Sequence, residues 1–188
     1  MDALMAALVA AALAQIGDRP AALAAILADR YRMPLRVILA AALALLTAGL
    51  IAAAAGAWLA PHLTPEAKQL FLALALLLQG GGALLPAKAP ERLAGWRIGG
   101  FATSAAGLFI LAFGDGIQFI VVALAARAAL PWLAAVGAML GSLAVIAPAA
   151  ILGERDWRRL PLAPARRIVG ILFVLVALWL GLGALRLI

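Results

Sequence analysis

The chain has 188 residues, of which 68% are hydrophobic, and its mean hydropathy is +1.14. Soluble domains contain only about 45–50% apolar residues, so the composition predicts an integral membrane protein. The absence of cysteine excludes disulfide bonds and thiolate metal sites, and the net charge of +7 comes mostly from basic residues in short linkers between apolar runs. Such a distribution is typical of membrane topology and does not indicate a nucleic-acid partner.

Six apolar runs are long enough to cross a bilayer, which needs about 20 residues in a helix. They are Ala3–Ala28, Leu35–Leu59, Glu66–Leu85, Gly99–Ala126, Pro131–Leu152 and Ala163–Leu187. The first run continues past Ala14 without a basic segment before it, so it is read as a span and not as a cleavable signal peptide. Pro34 and Pro131 suit the first turns of their helices, whereas Pro20 and Pro148 fall inside spans and should kink or break them. The sequence therefore predicts an all-α membrane protein with six transmembrane helices.

The two halves of the chain resemble each other. A shift of 97 residues places Gly17-Asp18 on Gly114-Asp115, Arg30 on Arg127 and Pro34 on Pro131. Each half contains three spans, an odd number, so the halves must cross the membrane in opposite directions. We expect one membrane domain made of two inverted three-helix repeats, residues 1–97 and 98–188. This organisation is typical of secondary transporters.

The distribution of Lys and Arg predicts the orientation. Eleven of these residues lie in the linkers after spans one, three and five, whereas only Lys68, Arg127 and Arg186 lie on the opposite side. The positive-inside rule then places both termini on the non-cytoplasmic side of a bacterial inner membrane. The protein would contact the lipids of this membrane. The sequence does not predict the oligomeric state.

Two carboxylates lie in the middle of apolar runs, Asp18 and Asp115. A carboxylate at the bilayer centre costs roughly 2.5–3.5 kcal/mol on insertion scales, so a functional role is the first hypothesis. Inverted repeats would bring the two side chains close together near mid-membrane, where they could form an ion or proton site. Gln15 and Gln118 are candidate oxygen ligands, or else they make interhelical hydrogen bonds. Arg19 is a candidate gating residue, and an ion pair between Arg19 and Asp115 could be purely structural.

An enzyme is the less favoured interpretation. Intramembrane aspartyl proteases use two membrane-embedded aspartates, one of them in a Gly-x-Gly-Asp motif, but the first glycine of that motif is replaced here by Gln15 and by Ala112. His62 is the single histidine, which excludes a His-rich metal cluster. We expect neither catalysis nor a bound cofactor.

The repeated motif resembles that of the Gdt family of membrane cation/proton exchangers, which includes bacterial manganese exporters. That family carries Glu-x-Gly-Asp-(Lys/Arg)-(Ser/Thr) in each repeat, often followed by Gln in the second copy. This chain matches the motif at Gly17-Asp18-Arg19 and at Gly114-Asp115, and Gln118 matches the Gln after the second copy. Further similar stretches are Ala125-Ala126-Arg127 and residues 147–154. The resemblance implies that the protein transports Mn²⁺ or Ca²⁺ in exchange for protons, with Asp18, Asp115, Gln15 and Gln118 as metal ligands and Gly17 and Gly114 as motif glycines.

The chain also departs from the family motif. The two glutamate positions hold Gln15 and Ala112, the two hydroxyl positions hold Pro20 and Ile117, and the second basic position holds Gly116. Divalent cations usually require two or more carboxylates among about six oxygen ligands. We therefore expect weaker divalent binding than in relatives with the full motif. The alternatives are a structural or regulatory membrane protein without exchange activity, and a carrier of another small solute.

Overall fold

The computed structural model of the chain describes residues 2–187, which form helices without any strand. The eight α-helices are α1 (Asp2–Ala14), α2 (Arg19–Tyr31), α3 (Pro34–Leu59), α4 (Pro65–Leu84), α5 (Gly100–Phe113), α6 (Gly116–Ala125), α7 (Trp132–Trp157) and α8 (Leu162–Ala184). A single 3₁₀ turn, Ala60–His62, connects α3 to α4. The prediction of an all-α fold is confirmed.

Four helices are individually long and apolar enough to cross a membrane, namely α3, α4, α7 and α8. The remaining four helices form two bent pairs, α1 with α2 and α5 with α6, and each pair bends by 69° at a short break. The protein therefore has four candidate spans, or six if each bent pair crosses once. The six predicted runs follow this second count, but the first and the fourth each consist of two helices.

The prolines act differently at different positions. Pro34 begins α3 and Pro20 lies in the first turn of α2, where a missing N–H costs nothing. Pro131 is the N-cap of α7 and not its first helical residue. A kink or a break was expected at Pro148, but α7 is not broken there: it continues through this residue and departs from helical geometry at Gly153, with φ 78° and ψ 173°.

Two clusters of buried apolar residues form the core. The first cluster combines residues of α1, α4, α6 and α8 with the end of α3 and the beginning of α7. The second combines residues of α2 and α5 with the beginning of α3 and the end of α7. Each bent pair therefore contributes one helix to each cluster, and its break lies where one cluster gives way to the other.

Small residues allow the helices to approach closely. Gly137 and Gly141 of α7 lie against the backbone carbonyls of Leu4 and Leu8, so that a Cβ atom at either glycine would collide with α1. Such contacts are typical of membrane helices, whose association depends on packing more than on the hydrophobic effect. They hold α1 against the opposite half of the chain and so fix the position of the first break.

Candidate functional site

The first break in the chain follows α1 and presents Asp18. Gly17 adopts φ +70°, a conformation that favours glycine, and its backbone lies against Leu162 and Arg166 of α8. Asp18 is the N-cap of α2 with an extended backbone, yet its side chain makes no capping hydrogen bond. The carboxylate, which is 9% exposed as a residue, is thus near the positive end of a helix dipole and remains free to bind other groups.

The second break repeats this arrangement at Asp115. Gly114 ends α5, and Asp115 is the N-cap of α6 with φ −91° and ψ 148°, again without a capping side-chain hydrogen bond. The residue is 8% exposed, and its Oδ2 atom is buried without a hydrogen-bond partner. A buried carboxylate oxygen without a partner is costly, and such an atom indicates a missing donor or cation.

Both carboxylates lie on the wall of one cavity of about 330 Å³. Its charged and amide-bearing lining residues are Asp18, Arg19, Gln79, Lys88, Asp115 and Arg166. Asp18 and Arg19 are close enough to Asp115 to interact with it electrostatically. The structure therefore brings the two motif aspartates together, as expected if the two breaks meet.

Two basic residues at this cavity were not expected from the sequence, Lys88 and Arg166. The guanidinium of Arg166 lies 3.9 Å from Asp18 Oδ1 and donates hydrogen bonds to the carbonyls of Gly82, at 2.9 Å, and Leu85. Both residues belong to the groups of positive charge that the topology explains, Lys88 in a linker and Arg166 at the start of the last span, so no local signal separates them from their neighbours.

Arg19 is exposed on the cavity wall, and within residues 2–187 it makes no ion pair with Asp115 at 4.0 Å or less. The cavity lining has three basic and two acidic side chains, so its formal charge is one positive. Asp18, Asp115 and Arg19 alone would carry one negative charge. The additional positive charges of Lys88 and Arg166 make the cavity less attractive to a divalent ion than the motif implies.

The two glutamines of the motif do not line this cavity. Gln15 is 1% exposed, and its Nε2 donates to Ser142 Oγ of α7 at 3.5 Å, while its Oε1 has no partner. Gln118 Oε1 is likewise buried without a partner. These two unpartnered acceptors are compatible with ligation after a local rearrangement and with simple packing.

Gln79 of α4 also lines this cavity, whereas its counterpart in the other half of the chain is the apolar Val176. Its Oε1 approaches the backbone of Gly116 so closely that a Cβ atom there would collide with it. Glycine at the second basic position of the motif therefore makes room for Gln79 next to Asp115.

A second cavity, of about 300 Å³, shares Asp18, Arg19 and Lys88 with the first and extends to Glu154 and Arg158. Glu154 forms ion pairs with Arg92 and, at 2.9 Å, with Arg158. This second cavity therefore places Asp18 on one wall with Glu154 and Arg158 at the end of α7, whereas Asp115 does not line it.

Comparison with known proteins identifies the family. The family model described as "Divalent cation/proton antiporter GDT1" matches residues 3–91 and again residues 100–187. The chain belongs to the GDT1 family. The resemblance that the Gly-Asp motifs indicated is thereby confirmed, and the coarse function follows: the protein is a divalent cation transporter of the membrane, which is consistent with the expectation that it is not an enzyme.

One curated relative supports this assignment. A protein of Vibrio cholerae serotype O1, described as "Putative manganese exporter", is 33% identical over 180 residues, which cover 95% of this chain and 90% of the relative. No solved structure matches the chain.

Side chains of the usual metal-binding types are sparse at this cavity of the GDT1 member. In the part of the chain from Asp2 to Leu187, no three His, Cys, Asp or Glu side chains are grouped so that they could hold a metal ion. A divalent cation at the cavity would therefore have two carboxylates and would depend on amide, carbonyl and water oxygens for its remaining ligands.

Proposed function

We propose that the protein exchanges Mn²⁺ or Ca²⁺ for protons and that Asp18 and Asp115 form the shared binding site. The observation that carries this proposal is the position of both aspartates on one cavity, each at a helix break and each free of capping hydrogen bonds. Carboxylates that can hold either a hard cation or a proton are what an exchanger requires. The family assignment and the name of the Vibrio relative favour Mn²⁺ as the first ion to test.

The two halves of the chain are proposed to be inverted repeats that meet at this site. Every α-helix of the first half has a counterpart about 97 residues later, and both bent pairs share an angle of 69°. The chain passes from the first core cluster to the second in α1 and α2, and from the second to the first in α5 and α6. The separate matches of the family model to residues 3–91 and 100–187 support the same division.

The remaining site residues take proposed roles from their positions. Gln15 and Gln118 would provide neutral oxygen atoms near the aspartates, and Gly17 and Gly114 would allow the breaks. Arg19 would act as an ion-pairing or gating residue at the cavity wall. We place both termini on the non-cytoplasmic side of a bacterial inner membrane, because the basic linkers and the Lys88 side of the cavity would then face the cytoplasm.

Transport in proteoliposomes tests the proposal, with wild type compared with Asp115→Asn in assays of Mn²⁺- and Ca²⁺-driven proton flux. We expect the substitution to lower the flux about tenfold or more, since losing a charged partner costs about 1.5–3 kcal/mol. Asp156→Asn is the matched control, because Asp156 is exposed and its ion pair in the described residues is with Arg159, just after the end of α7.

The outcomes separate the candidate functions. Flux that falls in Asp115→Asn and not in the control supports exchange at a two-carboxylate site. A folded, correctly inserted wild type without any metal-dependent flux would contradict the proposal and would favour a different solute or a structural role.

A further inference from the structure

The guanidinium of Arg166 lies between Asp18 and the C-terminal end of α4. Its Nη2 atom lies 3.9 Å from Asp18 Oδ1, and the two side chains are only 15% and 11% exposed. The same guanidinium donates hydrogen bonds to the carbonyls of Gly82 and Leu85. Arg166 is therefore anchored by two backbone carbonyls at the C-terminal end of α4, whose residues line the same cavity.

The contact between Arg166 and Asp18 is electrostatic and is not a hydrogen bond. Charge-assisted hydrogen bonds between a guanidinium and a carboxylate are about 2.7–2.9 Å long, whereas this pair is separated by 3.9 Å. A cation that binds Asp18 would thus not need to break the hydrogen bonds of the guanidinium to Gly82 and Leu85. It would only have to displace the favourable charge interaction.

The two aspartates differ in their basic neighbours. Among residues 2–187, Asp115 has no basic partner at 4.0 Å or less, and its Oδ2 has no hydrogen-bond partner. Asp18 therefore has a guanidinium at ion-pair distance, whereas Asp115 has none in the described part of the chain. The two copies of the motif thus have different surroundings in the fold.

We propose that Arg166 is a tethered counter-ion that competes with the transported cation for Asp18 and so sets the affinity of the site. This inference rests on the proposed function. A fixed positive charge repels a divalent ion twice as strongly as a monovalent ion at the same distance, so Arg166 weakens divalent binding in particular. It also stabilises Asp18 when no metal is bound.

A purely structural role for Arg166 predicts a different behaviour. If the residue served only to attach α8 to α4 through the two carbonyls, its loss would lower thermal stability and would leave Mn²⁺ binding unchanged or weaker. Competition predicts tighter binding. The sign of the change in affinity therefore distinguishes the two roles.

The test is isothermal titration calorimetry of the purified full chain in detergent with MnCl₂, together with its thermal unfolding. We expect Arg166→Gln to bind Mn²⁺ about tenfold tighter than wild type, a change of about 1.4 kcal/mol. Arg167→Gln is the matched control, because Arg167 is the next residue, is exposed and carries the same charge. We expect its affinity to stay within about twofold of wild type, as surface charges interact weakly.

A conservative variant covers the case in which Arg166→Gln does not fold. Arg166→Lys keeps the positive charge and replaces the planar guanidinium with an ammonium group. Competition therefore predicts an affinity for Mn²⁺ within about threefold of wild type. Markedly weaker binding by this lysine variant would contradict competition and favour the structural role. An unchanged or weaker affinity of a folded Arg166→Gln would overturn the inference directly.

The experiments can contradict the role of Arg166 without contradicting the proposed function. If wild type exchanges Mn²⁺ in an Asp115-dependent manner but Arg166→Gln does not bind the ion more tightly, only the role of Arg166 is wrong. If neither wild type nor folded Arg166→Gln binds Mn²⁺, both proposals are contradicted.

Discussion

Asp18 and Asp115 show how two identical dipeptides acquire different surroundings. Both follow a motif glycine and both cap the second helix of a bent pair. Asp18 faces Arg166 from α8, whereas Asp115 lies next to Gly116, whose backbone contacts the amide oxygen of Gln79 from α4. The difference arises because the residue that corresponds to Arg166 in the other half is Gln69.

Gln118 offers a test at the scale of one side chain. Its Oε1 atom is buried without a hydrogen-bond partner, a condition that costs about 1–3 kcal/mol and that a structural residue would not require. We expect Gln118→Leu to keep or raise the thermal stability, since the unpartnered acceptor disappears, and to lower Mn²⁺-driven flux severalfold if Gln118 supplies a ligand. Thermal unfolding in detergent and proteoliposome flux measure the two effects.

Gln69→Leu is the control for this substitution. Gln69 Nε2 donates to Leu180 O at 3.0 Å, away from the aspartates, so the same change removes a satisfied hydrogen bond. It should lower stability by about 1 kcal/mol and leave the flux unchanged. A Gln118→Leu variant that loses stability but transports normally would assign Gln118 to interhelical packing.

At the scale of helices, the two breaks reach the same 69° bend by different local means. The first uses Gly17 at φ +70° and Pro20 in the next helical turn. The second has no proline, and its Gly114 adopts φ −90°. The bend is therefore set by the helices packed around each break, and the local sequence only permits it.

Gly153 allows a test of backbone strain within α7. Its φ and ψ of 78° and 173° lie in a region that is essentially restricted to glycine, and a Cβ atom would collide with the carboxylate of Asp29. That carboxylate accepts a hydrogen bond from the Glu154 backbone N–H at 2.7 Å. We expect Gly153→Ala to destabilise the protein by about 2 kcal/mol or more, measured as a lower unfolding temperature in detergent.

Gly81→Ala is the corresponding control. Gly81 lies inside α4, where an added Cβ atom would meet nothing within 4 Å. Alanine is about 1 kcal/mol better than glycine in a helix interior, so this variant should be unchanged or slightly more stable. Equal stability of Gly153→Ala and wild type would show that the end of α7 can relax into a regular helix.

For the whole molecule, the distribution of the core clusters bears on how the chain crosses the membrane. α1 and α6 share one cluster, and α2 and α5 share the other. If the two clusters occupy the two halves of the membrane, the bent pairs run in opposite directions. Opposite directions of the two bent pairs are what the proposed inverted topology requires.

Cysteine accessibility tests that topology, since the chain contains no cysteine of its own. Single substitutions at exposed positions, His62→Cys and Ala129→Cys, should react with a membrane-impermeant maleimide added outside intact cells. Glu91→Cys and Leu160→Cys, also exposed, should react only after permeabilisation. The opposite labelling pattern would invert the proposed orientation, and a mixed pattern would contradict six spans.

The sequence alone determined the membrane class, the helical runs, the Gly-Asp motifs and the family, because each depends on local composition or on residues that are close in the chain. Only the tertiary structure decided that Lys88, Gln79 and Arg166 line one cavity together with the two aspartates, and that Gln15 and Gln118 lie outside its lining. These neighbours come from helices far apart in sequence. Their approach depends on how α2, α4, α6 and α8 pack, which no local pattern of hydropathy or charge encodes.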